Sequence, residues 1–143
     1  MHDNAHILAE VDALLNAWTA DPLNMKPTFT AFRDFLTGLD GVELDYKARP
    51  GVSYSLRAKH CAQDKRGLFV LVDIVDDEPE SRWLSVCFYA DMIADPDELG
   101  DFVPGGLMGE DACCLNLDED NDAMRDYVAR RIAEAAAAAA RRQ

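Results

Sequence analysis

From residue 4 to residue 18 the apolar positions form one helical stripe. Ile7, Leu8, Val11, Leu14, Leu15 and Trp18 are spaced i, i+1, i+4, i+7, i+8 and i+11, the period of an amphipathic helix packed on a core. Asp3 or Asn4 can cap its start. Asp21-Pro22 ends it, because a residue before proline avoids the helical region. A second helix is predicted from about Pro27 to Leu36. Proline suits the first helical position. Phe29, Phe32, Phe35, Leu36 and Leu39 supply its buried face, and Gly38 or Gly41 its stop.

The period then drops to two. Val42, Leu44, Tyr46 and Ala48 alternate with polar residues, as do Val52, Tyr54, Leu56 and Ala58 after Pro50-Gly51. This is a half-buried hairpin with one wet face. All its apolar positions are even-numbered, and facing residues must share a face, so the loop must hold an odd number of residues. A loop of Arg49 to Gly51 satisfies this and sets Glu43 opposite Arg57.

Leu68 to Val75 is apolar on both faces and reads as a central strand. Trp83 to Tyr89 follows a charged turn, which completes a four-stranded antiparallel meander. Residues 91 to 111 read as irregular, with a helical turn from Asp95-Pro96 to about Asp101 and a mobile loop at Pro104-Gly105-Gly106. Ala112 to Leu117 can add a fifth strand. From about Glu119 a long helix runs to the end, capped by Asp118 or Asp120, with Met124, Tyr127, Val128, Ile132 and Ala135 buried. Alanines 135 to 140 continue it by propensity alone, so residues 136–143 read as a frayed or projecting end. The fold class is α+β: two N-terminal helices, a four- to five-stranded mainly antiparallel sheet and a long C-terminal helix, in two layers. Residues 1–143 read as one domain, in keeping with the length.

Charge narrows the function. The chain carries a net charge of -13, a field that repels nucleic-acid phosphates and anionic lipid. No apolar run approaches the ~18 residues of a membrane span. Met1 to Glu10 lacks a basic start and an apolar stretch, so no leader and a cytoplasmic location are expected. Cys61, Cys87, Cys113 and Cys114 form no C-x-x-C and read as reduced thiols.

The chemical motifs fail one by one. Asp118, Asp120 and Asp122 imitate a calcium loop, but Ala123 and Ala129 stand where its glycine and bidentate glutamate are needed. His2, His6 and Glu10 share a helix face at i, i+4 and i+8 without H-E-x-x-H. His60-Cys61 is a Cys/His neighbour pair with no second base. Gly105, Gly106 and Gly109 lack the lysine and order of a phosphate loop. No catalytic residue, metal or cofactor is expected.

The positive feature is the distribution of charge. Lys47, Arg49, Arg57, Lys59, Lys65 and Arg66 stand against Asp64 alone between 47 and 66, so that segment carries +5 and the other 123 residues carry -18. Lys47, Arg57 and Lys59 share the odd-numbered wet face, with Arg49 at its tip. Lys47, Arg49, Arg57, Lys59, His60, Lys65 and Arg66 are therefore the candidate site for an acidic group. In size, acidity and mixed architecture the chain is broadly similar to type III secretion chaperones. The paired N-terminal helices depart from that pattern and no motif matches residue by residue, so no site is carried over. The expectation is a non-enzymatic protein-binding, adaptor or chaperone-like module. Its partner is another protein or a second copy of itself, not nucleic acid and not membrane. The alternative is a domain that binds or transforms an anionic small molecule between the basic hairpin, the 60–67 loop and the 101–110 loop.

Overall fold

The computed structural model describes residues 4–141. Along the chain come α1 (Ala5–Ala17), α2 (Met25–Thr37), β1 (Val42–Arg49), β2 (Ser53–His60), β3 (Val70–Val75) and β4 (Trp83–Tyr89). A 3₁₀ turn at Ala90–Met92 leads to β5 (Asp101–Leu107), β6 (Glu110–Leu117) and α3 (Asp122–Ala140). The strands form one antiparallel sheet in the order β1-β2-β3-β4-β6-β5. The α+β class and the four-stranded meander are as read from the sequence. Among the described residues the strand number is six, not four or five.

The additional strand is β5, in the stretch expected to be irregular. Its sequence, DFVPGGL, has little strand propensity, and all but Leu107 is exposed. It survives as an outermost strand, where proline costs no ladder hydrogen bond, and its register shifts between Val103 and Leu107. The expected helical turn from Asp95 to about Asp101 is reduced to one turn, in which the Glu98 N–H donates to the Asp95 carbonyl at 2.9 Å. The Asp95 carboxylate also accepts the N–H groups of Leu99 and Gly100 at 3.0 and 2.8 Å.

One core explains the layering. Leu44, Leu56, Val72, Ile74, Leu84, Val86, Leu115 and Leu117 are buried on one sheet face, in a single cluster with Val11, Trp18, Phe29, Leu36, Val128 and Ile132 of the helical segments. The odd positions of β1 to β4 and the even positions of β6 lie on the other face.

The caps differ from expectation in an instructive way. Asp21, expected only to end α1, accepts the N–H groups of Met25 and Lys26 at 2.8 Å each and so starts α2 two residues before Pro27. Asn121 rather than an aspartate caps α3, through the Met124 N–H at 3.0 Å. Asn4 makes no side-chain cap on α1. Its amide donates to the Val42 carbonyl and accepts the Leu44 N–H, both at 2.9 Å. That occupies the open edge of β1 as a neighbouring strand would. Asp45 takes the next outward N–H, that of Tyr46, at 2.9 Å. Both outer strands are thus closed to strand addition, β1 by side chains and β5 by its proline and irregular register.

The hairpin register is also corrected. The loop has three residues and keeps the deduced parity, but they are Pro50 to Val52, so Glu43 faces Lys59 and Asp45 faces Arg57. The alanine end of α3 does not project. Ala135, Ala136 and Ala139 are buried, because methyl side chains let the helix approach the sheet and the 3₁₀ turn closely. Residues 142 and 143 lie outside the described residues. No helix among the described residues is long and apolar enough to cross a membrane.

Candidate functional site

Strand alternation puts Lys47 and Arg49 of β1 and Arg57 and Lys59 of β2 on the sheet face away from the helices. Adjacent registers bring them together: Lys47 faces Ser55, Arg49 faces Ser53, Arg57 faces Asp45 and Lys59 faces Glu43. Arg57 donates to the Ser55 hydroxyl at 3.2 Å. Among the described residues these four cations enter no ion pair. The other three candidates are placed differently. His60 ends β2 on the helix-facing side, and its ring lies over Gly41, where a Cβ would come within 3.1 Å of Nε2. Lys65 and Arg66 sit in the loop between β2 and β3.

Arg66 is committed to its own fold. Its guanidinium reaches Asp91 at 2.8 Å and Glu110 at 2.7 Å and lies 4.1 Å over the Tyr89 ring. The hydrogen bonds to Asp91 and then Glu110 hold its pKa above the ordinary value, and Arg66 in turn holds both carboxylates below theirs. It staples the 61–69 loop to the far end of the sheet.

A groove of about 580 Å³ lies beside this staple, lined among others by Arg57, Lys59, Lys65, Tyr89, Met108 and Glu110. The basic strand, the 60–67 loop and the β5–β6 turn meet there, as the small-molecule alternative requires. Its cations are balanced in part by Glu43, Asp45 and Glu110 on the same walls.

The remaining outward face was not read as a site. Row by row across the strands it holds Ser55, Asp73, Ser85 and Asn116, then Leu71, Cys87 and Cys114, then Val75 and Trp83. Burial pushes the Asp73 carboxyl up, against the Ser55 hydrogen bond and the charges of Arg57 and Arg49. The signal was present in the odd positions 71 to 87, once 68–75 is read as a strand with a second face that carries an aspartate.

Cys87 and Cys114 face each other across β4 and β6 and are joined in a disulfide, which corrects the expectation of four reduced thiols. Cys61 is exposed and Cys113 buried, both free. Burial, then Asp95 and Asp101, pushes the Cys113 thiol up, away from reactivity. Cys61 Sγ lies 3.9 Å from His60 Nδ1, but that nitrogen already accepts the Ala62 N–H at 3.0 Å. Its lone pair is therefore unavailable as a base.

The metal-like patterns are used otherwise. Asp120 and Asp122 both pair with Arg125. His6 Nε2 lies 3.9 Å from Glu10, and His2 lies outside the described residues. Among the described residues no three donors group as a metal site. Comparison with family models, curated proteins and solved structures finds no match.

Proposed function

We propose that the chain is a non-enzymatic protein-binding module, adaptor-like or chaperone-like and cytoplasmic, which holds an acidic segment of a partner on the open face of its sheet. One observation carries the reading: Lys47, Arg49, Arg57 and Lys59 share that face on adjacent strands and outnumber Glu43 and Asp45 beside them. Beside them lie the partly exposed Val75, Trp83 and Ser85, the kind of surface a protein partner can cover. The test is fluorescence anisotropy with a labelled octaglutamate peptide. Salt-sensitive binding that weakens at least about tenfold in Arg57→Glu/Lys59→Glu supports the reading. Absence of binding by the wild type, or binding unchanged in the folded variant, overturns it.

The groove beside Arg66 supports a second reading, an anionic small molecule held by Lys59 and Lys65. Its volume is that of a small-molecule site. The neutralisation of Arg66 by two carboxylates ranks it below the first. Calorimetric titration with inorganic pyrophosphate separates the two: binding lost in Lys65→Glu and kept in Arg49→Glu favours the groove.

A further inference from the structure

Between Arg82 and Arg125 the chain has no Lys, Arg or His and eleven Asp and Glu, so this stretch holds most of the net charge of -13. The fold uses five of the eleven. Arg66 pairs with Asp91 and Glu110, and Arg125 with Asp120 and Asp122. Asp95 accepts the Tyr127 hydroxyl and the N–H groups of Leu99 and Gly100. The other six are exposed and enter no ion pair among the described residues. Four of them, Asp97, Glu98, Asp101 and Asp111, border the outer strand β5.

The same edge exposes apolar side chains, Phe102 at 63% and Leu99 at 47%. Phe102 faces Cys113 in the register, and Cys113 faces the buried Phe88. Phe102 therefore lies on the helix side of the sheet, at the rim of the core. The 95–100 turn is held beside it, because Gly100 packs on the same Cys113: a Cβ there would come within 2.3 Å of its Sγ. Asp111 holds the other end of the strand by accepting the Gly105 N–H at 3.1 Å. The Tyr127 hydroxyl also accepts the Asp97 N–H, which brings α3 against the turn. The cation of α3 nearby, Arg131, lies 4.8 Å over the Tyr127 ring and is taken up by Glu134 at 2.9 Å. It leaves the four carboxylates uncompensated.

We propose that this edge, with Leu99 and Phe102 inside a rim of Asp97, Glu98, Asp101 and Asp111, docks a basic segment of a partner protein that carries apolar side chains among its lysines or arginines. The proposal goes beyond the reading of the basic face, which lies at the other end of the strand order, and does not rest on it. Charge complementarity selects the occupant: the rim repels an acidic segment or a nucleic acid and draws in a cationic one. A metal ion does not fit, since among the described residues no three donors group as a metal site. Pro104 and the shifted register of β5 keep the occupant off the strand amides, so it is held through side chains. Phe102 and Leu99 supply the water-excluding anchor that screened carboxylates alone lack.

Fluorescence anisotropy at about 0.15 M salt tests this with two labelled decapeptides, one alternating lysine and leucine, the other alternating lysine and serine. The lysine–leucine peptide is expected to bind at least about tenfold tighter, and Phe102→Ser to remove that difference. Asp97→Asn/Glu98→Gln/Asp101→Asn should weaken it at least about tenfold, while Asp77→Asn/Glu78→Gln/Glu80→Gln, the same charge removed from the β3–β4 turn, stays within about twofold of the wild type. Phe102 is mostly exposed, so Phe102→Ser should fold. If it does not, Leu99→Ser replaces it. A wild type that binds neither peptide at about 1 mM, an equal loss in the two triple variants, or full binding by the serine variant overturns the proposal. So does self-association of the wild type that Phe102→Ser abolishes, which would seat the exposed Val52 and the basic hairpin of a second copy on this edge instead.

Discussion

The carboxylate of Asp76, at the end of β3, accepts the backbone N–H of Gly51, 25 residues earlier, at 2.8 Å. Its other oxygen takes the Arg82 guanidinium at 2.7 Å. The Asp76 N–H in turn donates to the Val52 carbonyl at 2.9 Å. One buried side chain thus clamps the β1–β2 turn to the β3–β4 turn, with Arg82 5.5 Å from the rings of both Trp18 and Tyr54. Asp76→Ala leaves a buried guanidinium and a turn amide without their acceptor. It is expected to cost about 3 kcal/mol, read as a lower urea midpoint. A loss below about 1 kcal/mol would show that the clamp is replaceable. The pH dependence has a definite sign. Burial pushes the Asp76 carboxyl up, but hydrogen bonds from Gly51, Arg82 and Tyr54 outweigh this and leave it below the usual range. Its contribution is present above the unfolded value near pH 3.9 and is lost as pH falls through the lower folded value. Asp76→Asn should therefore lose less stability on acidification than the wild type.

The same clamp shows what the residue pattern left open. Parity required an odd hairpin loop, and the loop is odd. The choice between residues 49–51 and 50–52 was made by Asp76, which holds Gly51 and Val52 from another strand. The helices and β1 to β4 were legible because one buried face imposes a strict period on each. β5 was not, since an outermost strand with Pro104 need not alternate or supply every amide. Of the six candidate cations and His60, the four cations on β1 and β2 were legible as a co-facial group. Arg66 was counted with them because Asp91 and Glu110, 25 and 44 residues away, could not be placed beside it. The cysteine pair required knowing that β6, not β5, lies next to β4.

Met108 and Gly109 connect β5 to β6 with φ of 53° and 83°. A two-residue turn with both central residues left-handed favours Asn-Gly, and a methionine there is strained by its Cβ. Met108 is also 61% exposed, so little packing offsets the strain. Met108→Asn is expected to stabilise by about 1 kcal/mol, read as a rise in Tm of a few degrees. A fall in Tm would mean that Met108 contacts hold the groove wall.

Asn4 closes the β1 edge through two hydrogen bonds to Val42 and Leu44. Asn4→Ala removes both and uncovers a regular strand. The expected result is a loss of about 1–2 kcal/mol together with faster aggregation on mild heating. An unchanged aggregation rate would show that Asp45 and the charges of β1 protect the edge without Asn4.

The Cys87–Cys114 bond closes a segment with a sequence separation of 27. Under oxidising conditions the denatured chain should titrate two thiols, those of Cys61 and Cys113, and four after reduction. Reduction is expected to lower stability by about 3 kcal/mol through the freedom returned to the unfolded segment. Four reactive thiols before reduction would show the pair to be open.

Asp73 sits at the centre of the open face between Ser55 and Ser85, with one carboxylate oxygen buried without a hydrogen-bond partner among the described residues. Its carboxyl is pushed up chiefly by burial, so the folded chain holds that proton more tightly than the unfolded chain does. The favourable contribution is then present below the unfolded value near pH 3.9 and is lost as pH rises through the higher folded value. At pH 7 the residue is a net cost. Asp73→Asn keeps the shape and removes the charge, so it should raise the urea midpoint at pH 7 and leave it nearly unchanged at pH 3. The two effects must appear together. A variant less stable than the wild type at pH 7 would mean that Arg57 and Arg49 depend on the Asp73 charge to share the face, and that their cationic row is held in place from the centre of the sheet.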